Sequence, residues 1–573
     1  MPLHSRAAIY ARVVLLPLAL AVGTVAGLGS YYEASDDTTL AWLFAGVLSV
    51  GPITAVPLYF HGYGHALAAL YGAVPGVPWL GVLLAAMLAA ATMLVFAVLD
   101  RLLRPHLRPS PLALALVGFF AVAWLEHWLW FSYVRVALLL AGAAVLFAAQ
   151  QPARRGALAV GLVGLGAAWL LRPSLAVAGF GAVLPAALWL AGSWRRAAPV
   201  LLGGGLLLAL GTGAAAALRT PAQARTQALD GQLARVVDFD QLRPQPRTAA
   251  DSLGTAAVDL WLLGDSTVVS DALFRRAYAF APADFFGRVL PAKLGQRLGL
   301  LGRDYFPVLL ALAAGAGLLR RRARPGFWWV QAGFAGALLL LAGLLKLPAR
   351  LALPLLDFWL ITTLAYALRP KQYEAGAAEG AGKKPLPAAN QPVPRLLLAG
   401  ALAVGLLYGA KTWHRRRVLG PERRRHETAL AAIERLGAGR VRILAGTNDL
   451  LKSLSPFRNY ALGPGPVLLL TGWNAHDASQ ARLRRALSGH ADQTGCLRYL
   501  AASGGVGKPP LWVLTPETAA WLGRRFALDG PRLRLAPVPG PPFSADTTLR
   551  EYRPEAGRPA AASNGRALIN PMP

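Results

Sequence analysis

Cysteine is almost absent. Cys496 is the only one, so no intramolecular disulfide and no cysteine-based metal cluster can form. Charge is scarce as well, at 15% of residues, and carboxylates are the rarer sign. From residue 1 to residue 229 the only acids are Glu33, Asp36, Asp37, Asp100 and Glu126. The C-terminal region carries no nucleotide-binding loop, kinase signature or Cys/His metal motif, which argues against a signalling protein with a soluble business end. No tandem repeat is visible, and no small-residue cleavage site follows the first apolar run.

What is present is apolar. Hydrophobic residues make up 55% of the chain and the mean hydropathy is +0.44, the composition of a protein integral to a membrane. At 573 residues a second module is expected beside the membrane part. The formal net charge of +30 does not indicate nucleic acid. Up to about residue 370 the arginines fall in short clusters between apolar runs, as topology determinants do, rather than on one basic face. High Ala, Gly, Leu and Arg with few Lys fits a GC-rich bacterial genome, hence a bacterial inner membrane.

The first apolar span covers residues 8–28 and reads as an uncleaved anchor. Others follow at 78–99, 111–127, 131–149, 157–171, 174–192, 199–218, 304–319, 327–345, 350–368 and 395–412. These are about eleven helices, each near the ~20 residues that cross the hydrocarbon; the pieces at 157–171 and 174–192 are short. Arginine and lysine clusters at 101–108, 154–155, 195–196, 320–324 and 369–384 alternate with poorly charged connections. This places the N-terminus in the cytoplasm and the intervening loops outside. The expected organisation is mainly α. It has a transmembrane core over 1–372 with outside loops at 29–77 and 219–303, a disordered cytoplasmic linker at 373–394 and a last transmembrane helix at 395–412. An extracytoplasmic α/β domain at 413–552 and an unstructured end at 553–573 complete the chain. In the α/β domain, strand-like runs at 441–444, 467–470 and 511–514 alternate with helical stretches, and the domain is expected to lean on the outer loops. Within the first loop, 40–48 and 66–73 read as short helices lying along the membrane.

Everything is organised around residues 30–79. Asp36 and Asp37 stand there side by side. One reading makes Ser35 or Asp36 the N-cap of a helix starting near Thr38, with Asp37 favouring its positive end. The other gives one carboxylate the proton of an acceptor hydroxyl while its neighbour orients it; Asp36 is then the base and Asp37 the cap or orienter. His61 and His65, in HGYGH, are four apart, but Gly62 and Gly64 disfavour a helix and no third ligand is adjacent. A turn with His61, Tyr63 and His65 lining a polar pocket is expected instead. Arg172, in LLRPS, and Lys346 and Arg350, around Pro348, are positive charges in outside turns. They call for partners: lipid headgroups for a snorkelling Lys346, or a phosphate, whose oxygens a guanidinium matches bidentately. Glu126, His127 and Asp357 read as helix-end or helix-packing groups.

The order of a first span, a loop opening with Asp36-Asp37, amphipathic helices and a second span resembles the GT-C class of polyprenyl-phosphate-sugar-dependent membrane glycosyltransferases. DDTTLAWLFAGVLS, LYFHGYGHALAALYGAVPGVPW and LLRPS look similar to a bacterial group of GT-C-like proteins, most clearly over 30–85. The resemblance implies inverting transfer of a sugar from a lipid-linked donor to a lipid, glycan or protein acceptor on the outer face, with an acid of the pair as general base and Arg172 as phosphate contact. A divalent metal is compatible with such chemistry, but no second acidic metal motif appears. The competing class is a non-enzymatic membrane protein, a transporter or a component of envelope-polysaccharide assembly. A transporter predicts internal repeats and mid-membrane acids; no repeat is found, and Asp357 is the main acid deep in a span.

Overall fold

The computed structural model describes residues 5–56, 62–369, 395–502, 508–528, 533–545 and 547–556. The linker expected at 373–394 lies outside these residues, as does His61.

Among the described residues seven helices are long and apolar enough to cross a membrane: Arg6–Leu28, Trp79–Leu103, Pro109–Leu129, Pro173–Ala191, Trp194–Ala217, Pro325–Gly343 and Ala349–Ala367. An eighth span arises if Pro282–Asp304 and Phe306–Leu319, bent by 88° at their junction, count as one. The count among the described residues is thus below the expected eleven. The helices Tyr133–Ala149 and Arg155–Leu171 have 17 residues each. At 17 residues they lie at the lower limit of what crosses the ~30 Å hydrocarbon core. Tyr133–Ala149 is instead the axle of the bundle: every residue except Phe147 is buried, against Trp79–Leu103, Arg155–Leu171, Pro173–Ala191 and Ala349–Ala367. Small residues allow the close approach. A Cβ on Gly179 would sit 2.5 Å from the Leu138 carbonyl oxygen, and one on Gly142 would sit 2.3 Å from the Phe358 ring.

The helix expected to end at 412 runs on from Arg395 to Leu436 as 42 continuous residues. Its charged part stays helical because Lys411 and Arg415 turn inward to Glu126, at 3.1 and 2.7 Å, and Arg415 also reaches Asp304. The stretch 219–303 is largely structured. It carries the helices Pro221–Leu233, Ala249–Asp259 and Asp271–Ala277 and the start of Pro282–Asp304. A short antiparallel pair joins β3 (Leu242–Pro244) to β4 (Tyr278–Phe280). Upstream, β1 (Tyr31–Tyr32) pairs in parallel with β2 (Trp130–Phe131).

The C-terminal domain holds a five-stranded sheet in the order β6-β5-β7-β9-β8. Its strands are β5 (Arg442–Leu444), β6 (Val467–Leu469), β7 (Leu511–Leu514), β8 (Leu533–Pro537) and β9 (Arg550–Ala556). β5 lies parallel to β6 and β7, while β9 is antiparallel to β7 and β8. Fully buried β5, β6 and β7 are what a parallel sheet covered on both faces requires. The domain does not stop at 552: residues 553–556 complete β9, where Ala556 pairs with Leu533.

This domain shares its core with the first loop. Leu450, Leu451 and Leu454 belong to the same apolar cluster as Tyr32, Leu40, Trp42 and Leu43. Thr38 Oγ1 donates to the Leu451 carbonyl at 2.9 Å and Trp42 Nε1 to that of Tyr460 at 2.7 Å. The loop helices are Ser35–Phe44 and Gly64–Ala73. The first is a buried interdomain element rather than a surface one, with seven of its residues buried.

Candidate functional site

The acidic pair opens the helix Ser35–Phe44, but neither acid caps it. The N-cap is Ala34, and no side chain bonds to the first turn. Asp37 caps a different helix. Its Oδ1 accepts from the Tyr133 backbone N–H at 2.9 Å, at the start of the axle Tyr133–Ala149. Its Oδ2 is buried and has no hydrogen-bond partner. Burial pushes the carboxyl up to about 8, against the lowering effect of the Tyr133 hydrogen bond and then of Arg350. At neutral pH the buried group therefore holds a proton. Asp36 points the other way. Its Oδ1 accepts from Trp473 Nε1 at 3.1 Å, and its Oδ2 lies 3.7 Å from Arg350.

Tyr133 ties the rest together. Its hydroxyl accepts from Arg172 at 2.9 Å, and the guanidinium sits 5.3 Å from the ring centre. Arg172 is held there as the N-cap of Pro173–Ala191, with Pro173 fixing the first turn. Four of the residues singled out from sequence, Asp36, Asp37, Arg172 and Arg350, thus converge at one end of the bundle. Two others do not join them. Tyr63 donates to the Ala167 carbonyl at 3.0 Å and precedes the helix Gly64–Ala73, while His65 is exposed on that helix. Gly64 starts a helix rather than a turn, and glycine is required there because Thr54 leaves no room for a side chain: a Cβ would lie 1.9 Å from its carbonyl oxygen. Lys346 pairs with Asp238 instead of reaching free for headgroups.

Beside this cluster a cavity of about 480 Å³ is lined by Arg172, Gln227, Asp230, Asp238, Trp261 and Trp473. A second, of about 370 Å³, shares Gln227, Asp230 and Trp473 and adds Arg219, Asp477 and Arg482. Trp473 lines both spaces and donates to Asp36 Oδ1, which links that carboxylate to them. The helix Pro221–Leu233 closes one wall, and His476 Nε2 lies 2.9 Å from Asp230 there. Trp261 adopts a left-handed backbone, φ 57°, and its carbonyl accepts from Gly472 at 3.0 Å. No group of three or more His, Cys, Asp or Glu residues suited to a metal occurs among the described residues.

Sequence reading overlooked Tyr133, Trp473 and Glu33. Tyr133 follows directly on the loop after Glu126, so sidedness alone could have placed it here. Nothing in the local sequence marks Trp473. Glu33 and Arg135 belong to a buried chain: Glu33 accepts from Arg135 at 2.7 Å, Arg135 meets His127 Nδ1 at 3.0 Å, and His127 Nε2 meets Asp357 at 2.7 Å. The arrangement of a half-exposed carboxylate, a proton-bearing acid and two guanidinium groups at a cavity suits proton transfer next to an anionic leaving group. Comparison with protein-family models, with curated proteins and with solved structures finds no match for this chain.

Proposed function

We propose that this protein is an inverting membrane glycosyltransferase that moves a sugar from a polyprenyl-phosphate donor to a hydroxyl acceptor on the extracytoplasmic face. The observation that carries the reading is the convergence of Asp36, Asp37, Arg172 and Arg350 beside a cavity that Arg172 and Trp473 line. Asp36 takes the proton of the acceptor hydroxyl as its oxygen bonds to the anomeric carbon. The carbon–oxygen bond to the lipid phosphate breaks, and the phosphate leaves with the electron pair toward Arg172, whose fork matches its oxygens. Asp37, protonated and locked to Tyr133, positions the loop. No metal is needed in this scheme. The arginine asymmetry supports a site on the outer face, and the composition fits a bacterial inner membrane.

The test is transfer of labelled sugar from polyprenyl-phosphate donors in membranes containing the protein. Asp36→Asn is expected to lower turnover by about 10²–10⁴ with unchanged insertion. Wild-type transfer by Asp36→Asn would end the transferase reading.

A second reading, a non-enzymatic membrane protein that moves ions, draws on the buried Glu33–Arg135–His127–Asp357 chain. It predicts proton flux into proteoliposomes that Asp357→Asn abolishes.

A further inference from the structure

The helix Arg395–Leu436 sorts its cations by face. Toward the bundle, Lys411 and Arg415 are matched by Glu126 and Asp304. Trp413, Arg416, Arg417, Gly420 and Arg424 recur at helical spacing of three, four, seven and eleven residues, so they share another face. Among the described residues no carboxylate lies within 4.0 Å of Arg416, Arg417 or Arg424. Arg416 and Arg417 are held over the Trp413 ring at 4.7 and 5.7 Å, and Arg423 over that of Tyr31 at 5.3 Å.

These arginines border a cavity of about 560 Å³ whose opposite wall is the end of the helix Arg6–Leu28, including Val25 and Leu28. The cavity is separate from those at Trp473, with which it shares no lining residue. Apolar on one wall and cationic on the other, it fits a molecule that is anionic at its head and hydrocarbon below. Gly420 keeps the space open: a Cβ there would meet nothing nearer than the Tyr31 hydroxyl at 3.9 Å.

We propose that this cavity is a binding site for the phosphate headgroup of an anionic membrane lipid, gripped by Arg416, Arg417 and Arg424 with its chain against Val25 and Leu28. Guanidinium groups bind phosphate oxygens through paired charge-assisted hydrogen bonds, and aromatic stacking holds two of them in position. The apolar wall selects a lipid over free phosphate, because only a lipid gains from burying hydrocarbon there. This site does not depend on the transferase reading.

The test measures lipid retention on the full chain by native mass spectrometry after delipidation in detergent. Phosphatidylglycerol, phosphatidylcholine and inorganic phosphate are titrated in separate arms. Wild type is expected to bind one phosphatidylglycerol saturably and about tenfold or more tightly than phosphatidylcholine, with inorganic phosphate not competing. Two variants probe the cavity. The triple variant Arg416→Gln, Arg417→Gln, Arg424→Gln removes the grip. Gly420→Leu keeps every charge, fills the space and favours the helix, so it decides the matter even if the triple variant does not fold. Both are expected to weaken phosphatidylglycerol by about tenfold or more. Equal retention of the two lipids by wild type overturns the proposal. So does undiminished binding by Gly420→Leu, which would reduce the arginines to a general surface charge. Inorganic phosphate displacing the lipid at equal concentration would overturn the lipid as occupant.

Discussion

Asp36 and Asp37 are adjacent in sequence yet inhabit different environments, and their substitutions should separate cleanly. The Asp37 carboxyl titrates near 8 in the fold and near ~3.9 when unfolded, so the folded protein binds the extra proton between those values. Its contribution to stability is complete below about pH 4 and is lost as pH rises through about 8. Wild-type protein in detergent should therefore melt at falling temperature from about pH 5 to about pH 9, and Asp37→Asn should not share that fall. Parallel curves would mean that the group is already charged when folded. Arg172→Lys keeps the charge but loses the fork; it should raise the KM for donor more than it lowers kcat, and more than Tyr133→Phe does. A KM equal to wild type would remove Arg172 from donor binding. The acidic pair and both arginines were legible from their rarity and their position in predicted outside turns. The partner of Asp37 was not, because a carboxylate's cap target is set by which helix end arrives beside it, and here that end is Tyr133.

Helix placement was legible from hydropathy, whereas span number was not. Hydropathy reports how apolar a segment is, and the helix Tyr133–Ala149 is apolar because other helices surround it, not because lipid does. Its neighbours approach through glycine. Gly179→Val pushes a side chain against the Leu138 backbone, which cannot rotate away. The expected cost is roughly 1–3 kcal/mol, read as a lower melting temperature. By contrast, Gly181→Ala, with nothing within 4 Å of its Cβ position, should be neutral or slightly stabilising. Similar losses for both would show that the contact at Leu138 is not what makes Gly179 sensitive. The long helix Arg395–Leu436 also ran past its hydropathy limit. Ion pairs to Glu126 and Asp304 hold the charged stretch past 412, where hydropathy ends the span, in the same helix.

At the scale of the whole molecule, the C-terminal domain is joined to the first loop by a shared core. Truncation after Leu436 should leave a chain that inserts in the membrane but exposes Tyr32, Leu40, Trp42 and Leu43. Limited proteolysis should then cut within residues 30–56, which the full chain protects; equal protection in both would contradict the shared core. Sidedness is tested by fusions: a reporter active only outside the cytoplasm should work after Arg440, and one active only in the cytoplasm should work at residue 380. The reverse pattern would put the site on the wrong face for a lipid-linked donor outside. The alternation of buried strands and amphipathic helices made the domain's α/β character legible. Its docking was not, since each contact joins segments that share no local signal.

The bond from Trp473 to Asp36 spans 437 residues, and those from Gln480 to Leu48 and from Trp42 to Tyr460 span 432 and 418. During synthesis, at ~5–20 residues per second, the first loop emerges tens of seconds before its partners exist. For that interval Trp42 and Asp36 wait without their C-terminal partners, while Asp37 already has Tyr133 within reach. A chain that ends before Trp473 lacks the indole that bonds to Asp36, so that contact forms only late in translation.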